Sequence, residues 1–252
     1  MGNQTSIRIR KSRKEDIPDI LRIYASAREY MRLNNNPNQW SGNYPGESDI
    51  IKIKMENKFE ILSELLKKDR SYRRFDESFK IDAGTLKRLV ELTRYCSSGR
   101  NLQPLKYFIV NDEEKCEQIF PLLKWAGYLK EWDDPEKGER PSAYLIQCLD
   151  TNLTKNYLCD DGLQLQAITL GATALGLGCC IIKSFNIVKL KEILSLEENL
   201  SPLYILAIGK PVETVVIEKL KDTGEEGIKY YRTPDKVHHV PKRSLEELLI
   251  NH

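Results

Sequence analysis

Residues 97–110 read SSGRNLQPLKYFIV. The second half, LKYFIV, is apolar, aromatic and β-branched, the composition of a strand. The first half is a loop that carries two Ser, a Gly, an Arg, an Asn, a Gln and a Pro. A simple connector into a buried strand needs fewer hydrogen-bonding side chains. The composition thus poses the question of what these side chains hold.

Working outward from this stretch, helices and strands alternate irregularly. Upstream, FEILSELLKKDRS (59–71) places apolar residues at 59, 61, 62, 65 and 66, one helical face. IDAGTLKRLVELTRY (81–95) predicts a second helix with Asp82 as its N-cap. Downstream, residues 113–132 read as mixed helix with Phe120, Leu122, Leu123, Trp125, Tyr128 and Trp132, and 133–141 as a turn-rich loop. SAYLIQCLD (142–150) is a strand. DDGLQLQAITLGATAL (160–175) is a long apolar helix capped by Asp160 or Asp161. GLGCCIIKSF (176–185) starts on glycines and becomes β-like, IVKLKEILSL (187–196) is a helix, LYILAIGKP (203–211) is a strand, and SLEELLI (244–250) is a closing helix. This order predicts an α+β fold, with a sheet lying among helices.

The chain has 252 residues, 39 basic and 37 acidic, for a net charge of +2. That balance gives no reason to expect nucleic acid or an anionic membrane as partner. No stretch approaches the roughly 20 apolar residues of a membrane span. The opening MGNQTSIRIRKSRKED lacks the apolar core of an export signal, so a cytoplasmic location with reduced thiols is expected. Six cysteines without a Cys-x-x-Cys pair, and only three histidines, argue against a zinc site. Cys179 and Cys180 are neighbours on a predicted strand and are expected to face opposite sides.

Four polar clusters could carry chemistry. RSYRRF (70–75) gathers Arg70, Ser71, Arg73 and Arg74 just after a helix. Arginine forks match phosphate oxygens, although a basic helix end also simply opposes the helix dipole. SSGRNLQP is the second cluster. In GLGCCIIKS (176–184) two glycines permit close backbone approach to a ligand, or else Gly176 merely ends the preceding helix. In VPKRSLEELL (240–249), Lys242 and Arg243 precede a helix that Ser244 can cap.

Taken in order, RSYRRF after a helix, SSGRNLQP before a strand, GLG after a long apolar helix and PKR-x-LEEL at the end resemble the nitroreductase family of FMN enzymes, over about residues 59–250. WAGYLKEW (125–132) and GERPSAYLI (138–146) look like one of its subgroups. The resemblance implies a mostly antiparallel sheet among helices, in an intertwined homodimer with FMN at the interface and a C-terminal extension over the partner. It places Arg70, Ser71 and Arg73 at the phosphate, the ribityl chain and the pyrimidine side of the ring. Lys242 and Arg243 complete the phosphate site. Ser97, Ser98, Asn101 and Gln103 lie against the flavin held by the other subunit. The backbone of Ile181, Ile182, Lys183 and Ser184 faces the ring near N5. It implies electron transfer from NAD(P)H through FMN to a small nitroaromatic, quinone or enone, with no catalytic side chain, since the cofactor carries the chemistry. Trp125, Tyr128 and Trp132 either wall an acceptor pocket or pack the core. A non-catalytic flavin-binding protein is the alternative.

Four positions depart from the family pattern: Asp69 where an arginine is common, Ser97 where proline is common, Leu105 for tryptophan, and Lys183 for glycine or an acid. The first 50 residues, with IRIRKSRKEDIPDILRIYASAREYM (7–31) and NPNQW (36–40), resemble the opening strand and helix of the GNAT acetyltransferases. No glycine-rich pyrophosphate turn follows. Residues 1–54 are thus expected to be an accessory fragment, and 55–252 the FMN-binding domain. An acetyltransferase-related protein is the other alternative.

Overall fold

The computed structural model describes residues 14–33, 46–221 and 224–251. The chain divides into two compact units at Glu64/Leu65. In the first, a 3-10 turn at Lys14–Asp16 leads into α1, Ile17–Leu33, starting where Asp16 and Pro18 predict. The strand SIRIRKS and the loop NPNQW lie outside the described residues. Helix α2, Glu47–Lys68, is continuous through residues 51–58, where the sequence places the boundary. Helix α2 continues into the second unit.

The second unit is built on a five-stranded sheet. Its strands are β1 (Phe75–Asp76), β2 (Leu105–Val110), β3 (Ala143–Asp150), β4 (Gly178–Ile182) and β5 (Leu200–Pro211). The path is β1-β5-β3-β2, with β4 also on β5, and every pairing is antiparallel. LKYFIV is indeed a strand, in register with β3 from Leu105↔Leu149 to Val110↔Tyr144.

All eight residues of β3 are buried, because helices cover both faces of the sheet. Tyr144, Ile146 and Cys148 face one core with Ile205 and Ala207 of β5. That core also takes Ile119 of α4 (Glu113–Ile119) and Leu190 and Leu194 of α6 (Ile187–Leu194). Ala143, Leu145, Leu206 and Ile208 face the other, against Leu86 and Leu89 of α3 (Ala83–Glu91) and Ile168 and Ala172 of α5 (Asp160–Ala174). The two-residue period of a strand produces this split. It also sends Cys180 into the first core and Cys179 into the second. All six cysteines are free.

Local chemistry sets the helix ends. Asp82 caps α3 by accepting from the Thr85 N–H at 2.9 Å. Neither Asp160 nor Asp161 is the N-cap of α5; that position is Cys159, without a side-chain bond, and Asp160 is already helical. At its other end, Gly176 has φ +76°, the Leu177 N–H reaches Ala172 O at 2.9 Å, and the Gly176 N–H reaches Thr173 O at 3.0 Å. This is a Schellman stop, so Gly176 serves the chain. The expected helix over 113–132 ends early. Pro121 sits in a 3-10 turn, Phe120–Leu122, and irregular turns follow.

Residues 215–242 form a second sheet. β6 (Val215–Lys219) runs parallel to β8 (His238–Lys242), and β7 (Tyr231–Arg232) runs antiparallel to β8. HHVPK and the two-residue YR carry no strand signature of their own. The closing helix α7, Leu245–Leu248, starts on Ser244 in a capping box with Glu247. No helix among the described residues is long and apolar enough to cross a membrane.

Candidate functional site

The RSYRRF motif runs out of α2 and is laced along β4. Arg70 Nη2 donates to Leu66 O at 2.8 Å, one turn back, where a cation meets the negative end of the helix. Ser71 forms a parallel bridge with Cys179, and the Tyr72 N–H donates to Cys179 O at 2.9 Å. A Cβ on Gly178 would lie 2.6 Å from the Tyr72 ring, so this glycine makes room for the motif itself. The first and third sequence clusters therefore meet directly.

The three arginines have different surroundings. Arg70 is half-buried, and its Nε has no partner. Arg74 is buried and forks onto Glu139, whose carboxyl this guanidinium holds below the usual range. Arg73 is only 8% exposed. Its backbone N–H donates to Glu213, its Nη1 donates to Ser71 O at 3.2 Å and lies 3.2 Å from His238 Nε2, and its Cζ sits 4.8 Å over the Tyr230 ring. Asp69, the odd residue in the motif, accepts from Gln166 Nε2 at 2.5 Å and Thr169 Oγ1 at 2.7 Å. Its carboxylate is thus hydrogen-bonded to α5.

The SSGRNLQP loop is anchored at the start of α5. Ser98 Oγ donates to Asp160 Oδ2 at 2.6 Å, and the Gly99 N–H donates to Asp160 Oδ1 at 2.8 Å. Ser98 Oγ also accepts from the Gln103 N–H at 2.9 Å. Arg100, Asn101 and Gln103 all have positive φ, at 55°, 56° and 48°. Three non-glycine residues in this conformation carry a cost that a site with a task can justify. Ser97, Asn101 and Gln103 are exposed, and Gln103 Nε2 reaches Asn101 Oδ1 at 3.2 Å. Among the described residues no hydrogen bond joins this loop to the 70–75 motif.

At the end of β4, Ile181 is 43% exposed and Ile182 is buried. Lys183 is exposed, with Nζ 5.3 Å from the Tyr204 ring centre, and Ser184 O accepts from the Lys124 N–H at 2.9 Å. Lys242 is exposed, and Arg243 Nη1 reaches Glu247 at 3.4 Å. Of the three aromatic candidates, Trp125 belongs to the core. Tyr128 and Trp132 line an open cleft of about 360 Å³ with Tyr231 and Arg232. Arg232 lies 4.6 Å over the Trp132 ring.

Several residues of this region gave no sequence signal. Asp160 reads as a cap, Glu139 lies in a turn-rich loop, and Glu213, Tyr230 and His238 stand in a stretch with no predicted element. Their roles depend on long-range pairing, which no local pattern announces.

The nitroreductase family model matches residues 66–152 and 158–210, more than half of the chain. No curated protein matches. Among solved structures, a nitroreductase-like protein from Streptococcus mutans superposes with a TM-score of 0.52 at 18% identity, covering 61% of this chain and 90% of its own. A protein from Parabacteroides distasonis assigned as an NADH dehydrogenase/NAD(P)H nitroreductase gives 0.51 at 21%, covering 65% and 93%. A protein from Exiguobacterium sibiricum assigned as a nitroreductase and solved in complex with FMN gives 0.50 at 21%, covering 60% and 88%. At these identities the likeness establishes the fold. None of the comparisons supports the acetyltransferase likeness of the first 50 residues.

Proposed function

The chain belongs to the nitroreductase family, and from that premise we propose that it is an FMN-dependent oxidoreductase working from NAD(P)H to a small acceptor. The observation that carries this reading is the bridge between Ser71 and Cys179, which sets the arginine–serine motif beside β4. The donor set suits FMN. Arg70 keeps a buried Nε without a partner, Ser71 is exposed, and loop 97–103 presents exposed amide side chains from a left-handed backbone.

Bound FMN would supply hydride acceptance from NAD(P)H and its delivery to a nitroaromatic, quinone or enone, by a ping-pong sequence. The chain's own residues bind and orient. Arg70, with Lys242 and Arg243, holds the phosphate, and Ser71 the ribityl chain. The backbone of Ile181, Ile182, Lys183 and Ser184 lines the ring near N5, where Lys183 adds a cation able to stabilise negative charge. The Asp69 carboxylate is held on α5 by Gln166 and Thr169, which fixes the direction of this departure from the family pattern.

Ser97, Ser98, Asn101 and Gln103 serve the cofactor of a second copy, in a homodimer. Their lack of any hydrogen bond to residues 70–75 within one chain supports that assignment. Tyr128 and Trp132 offer aromatic faces on which a flat acceptor can stack.

Steady-state oxidation of NADH and NADPH, with menadione or a nitroarene as acceptor, tests the proposal. Parallel double-reciprocal lines are expected. Flavin binding without turnover would favour the non-catalytic alternative.

A further inference from the structure

Arg73 is the one residue whose place in the structure conflicts with its role by resemblance. A flavin ligand must present its guanidinium to the ring, yet this side chain is buried under the second sheet. It meets His238 Nε2 at 3.2 Å and stacks on Tyr230 at 4.8 Å. Tyr230 in turn packs against His238 at 5.2 Å and against Tyr128 at 5.0 Å. Beside them the wholly buried Glu213 carboxylate receives the Arg73 backbone N–H and pairs with Arg232 at 2.8 Å. We infer that the strands β7 and β8, with Tyr230 at their edge, form a latch over Arg73, and that latch closure and FMN binding compete for this guanidinium. The inference rests on the flavin reading above.

The latch is well made but incomplete. It combines a cation over an aromatic ring, a hydrogen bond to a histidine and a buried ion pair. Yet Arg73 Nε, His238 Nδ1 and Arg232 Nε are all buried without partners. Buried donors left unmade are costly, and together they leave the closed state short of its full stability. A ligand that brings acceptors to Arg73 can therefore compete with it. The aromatic chain Arg73–Tyr230–Tyr128 also ties the latch to the wall of the open cleft, so opening would disturb that wall. A ligand that binds only the open form sees its affinity reduced by the fraction open.

Two measurements on the full chain test this. The first is amide hydrogen exchange with and without FMN. Faster exchange in β7 and β8 when FMN is bound is the expected result. The second is titration of FMN fluorescence with the wild type and with the double variant Y230A/H238A. Loss of both closing contacts should tighten FMN binding by about tenfold. If FMN binds the wild type while β7 and β8 keep or gain protection, the latch is overturned and the flavin reading stands. Equal or weaker binding by a folded double variant overturns it in the same way. Should neither protein bind FMN, both readings fall. The exchange experiment needs no variant, so misfolding of Y230A/H238A does not shelter the inference.

Discussion

Ser98 is tied to Asp160 by a hydrogen bond of 2.6 Å, across 62 positions of sequence. The same carboxylate accepts from Gly99 at 2.8 Å, and Asp160 is only 1% exposed. One buried acid thus fixes the loop that the sequence singles out. Replacing Asp160 by Ala leaves the Gly99 N–H and the Ser98 hydroxyl without their acceptor. A loss of about 2–4 kcal/mol is expected in urea unfolding, against about 1 kcal/mol for Ser98→Ala. Equal stability of D160A and wild type would show that the loop is held by other means.

Gly178 is the second position where a small change should be felt. Its missing Cβ leaves room for the Tyr72 ring, which a methyl would approach to 2.6 Å. Gly178→Ala should therefore cost about 1–3 kcal/mol through overpacking. Adding Tyr72→Ala should return part of that loss, giving a coupling energy of at least about 0.5 kcal/mol in a double-mutant cycle. Strict additivity would mean that the ring and the strand do not press on each other.

Much of this architecture was legible in the sequence. LKYFIV, SAYLIQCLD and LYILAIGKP announce strands by composition, whereas their antiparallel pairing was implied only by the family resemblance, since a sheet covered on both faces is as compatible with parallel strands. Asp82 and Ser244 announce helix starts because capping is local chemistry. Asp160 misled, since an acid at a helix start reads as a cap, whereas here it reaches across to Ser98. The strands within residues 215–242 were not legible, although Lys242 and Arg243 were singled out: their order comes from Glu213, His238 and Arg73, which find each other only in three dimensions. The 70–75 motif was recognised as a cationic cluster. That one arginine faces Leu66, another Glu139 and the third His238 could not be known from spacing.

The neutral state of His238 links this cluster to pH. Burial, and after it the charges of Arg73, Arg232 and His239, push its pKa down from 6.5 to about 4. The unfolded chain then binds more protons than the folded one between pH 6.5 and about 4. Stability from this residue is present in full above pH 6.5 and is lost as pH falls toward 4, by a few kcal/mol on the order-of-magnitude scale. Urea midpoints measured from pH 7 to pH 4 should fall more steeply for the wild type than for His238→Gln. Parallel curves would show that the histidine titrates as it does in water.

Thiol reactivity offers a check on the packing. Cys159 is exposed, whereas Cys148, Cys179 and Cys180 are buried and their thiols pushed up by burial. Cys116 is pushed up to about 12 for the same reason. The thiolate is the reactive form, so native protein should show one fast thiol toward a disulfide reagent. Cys159→Ser should remove that phase. Rapid labelling of Cys148, Cys179 or Cys180 in C159S, located by peptide mapping, would contradict the burial of β3 and β4.

The central claim is a flavin site fed by a nicotinamide reductant, and one spectrum addresses it directly. The visible absorption of the purified chain, supplemented with FMN, is recorded before and after anaerobic addition of NADH or NADPH. A bound-flavin spectrum that bleaches with either reductant is the predicted result. A protein that binds no FMN, or whose bound FMN neither NADH nor NADPH bleaches, would contradict the proposed function.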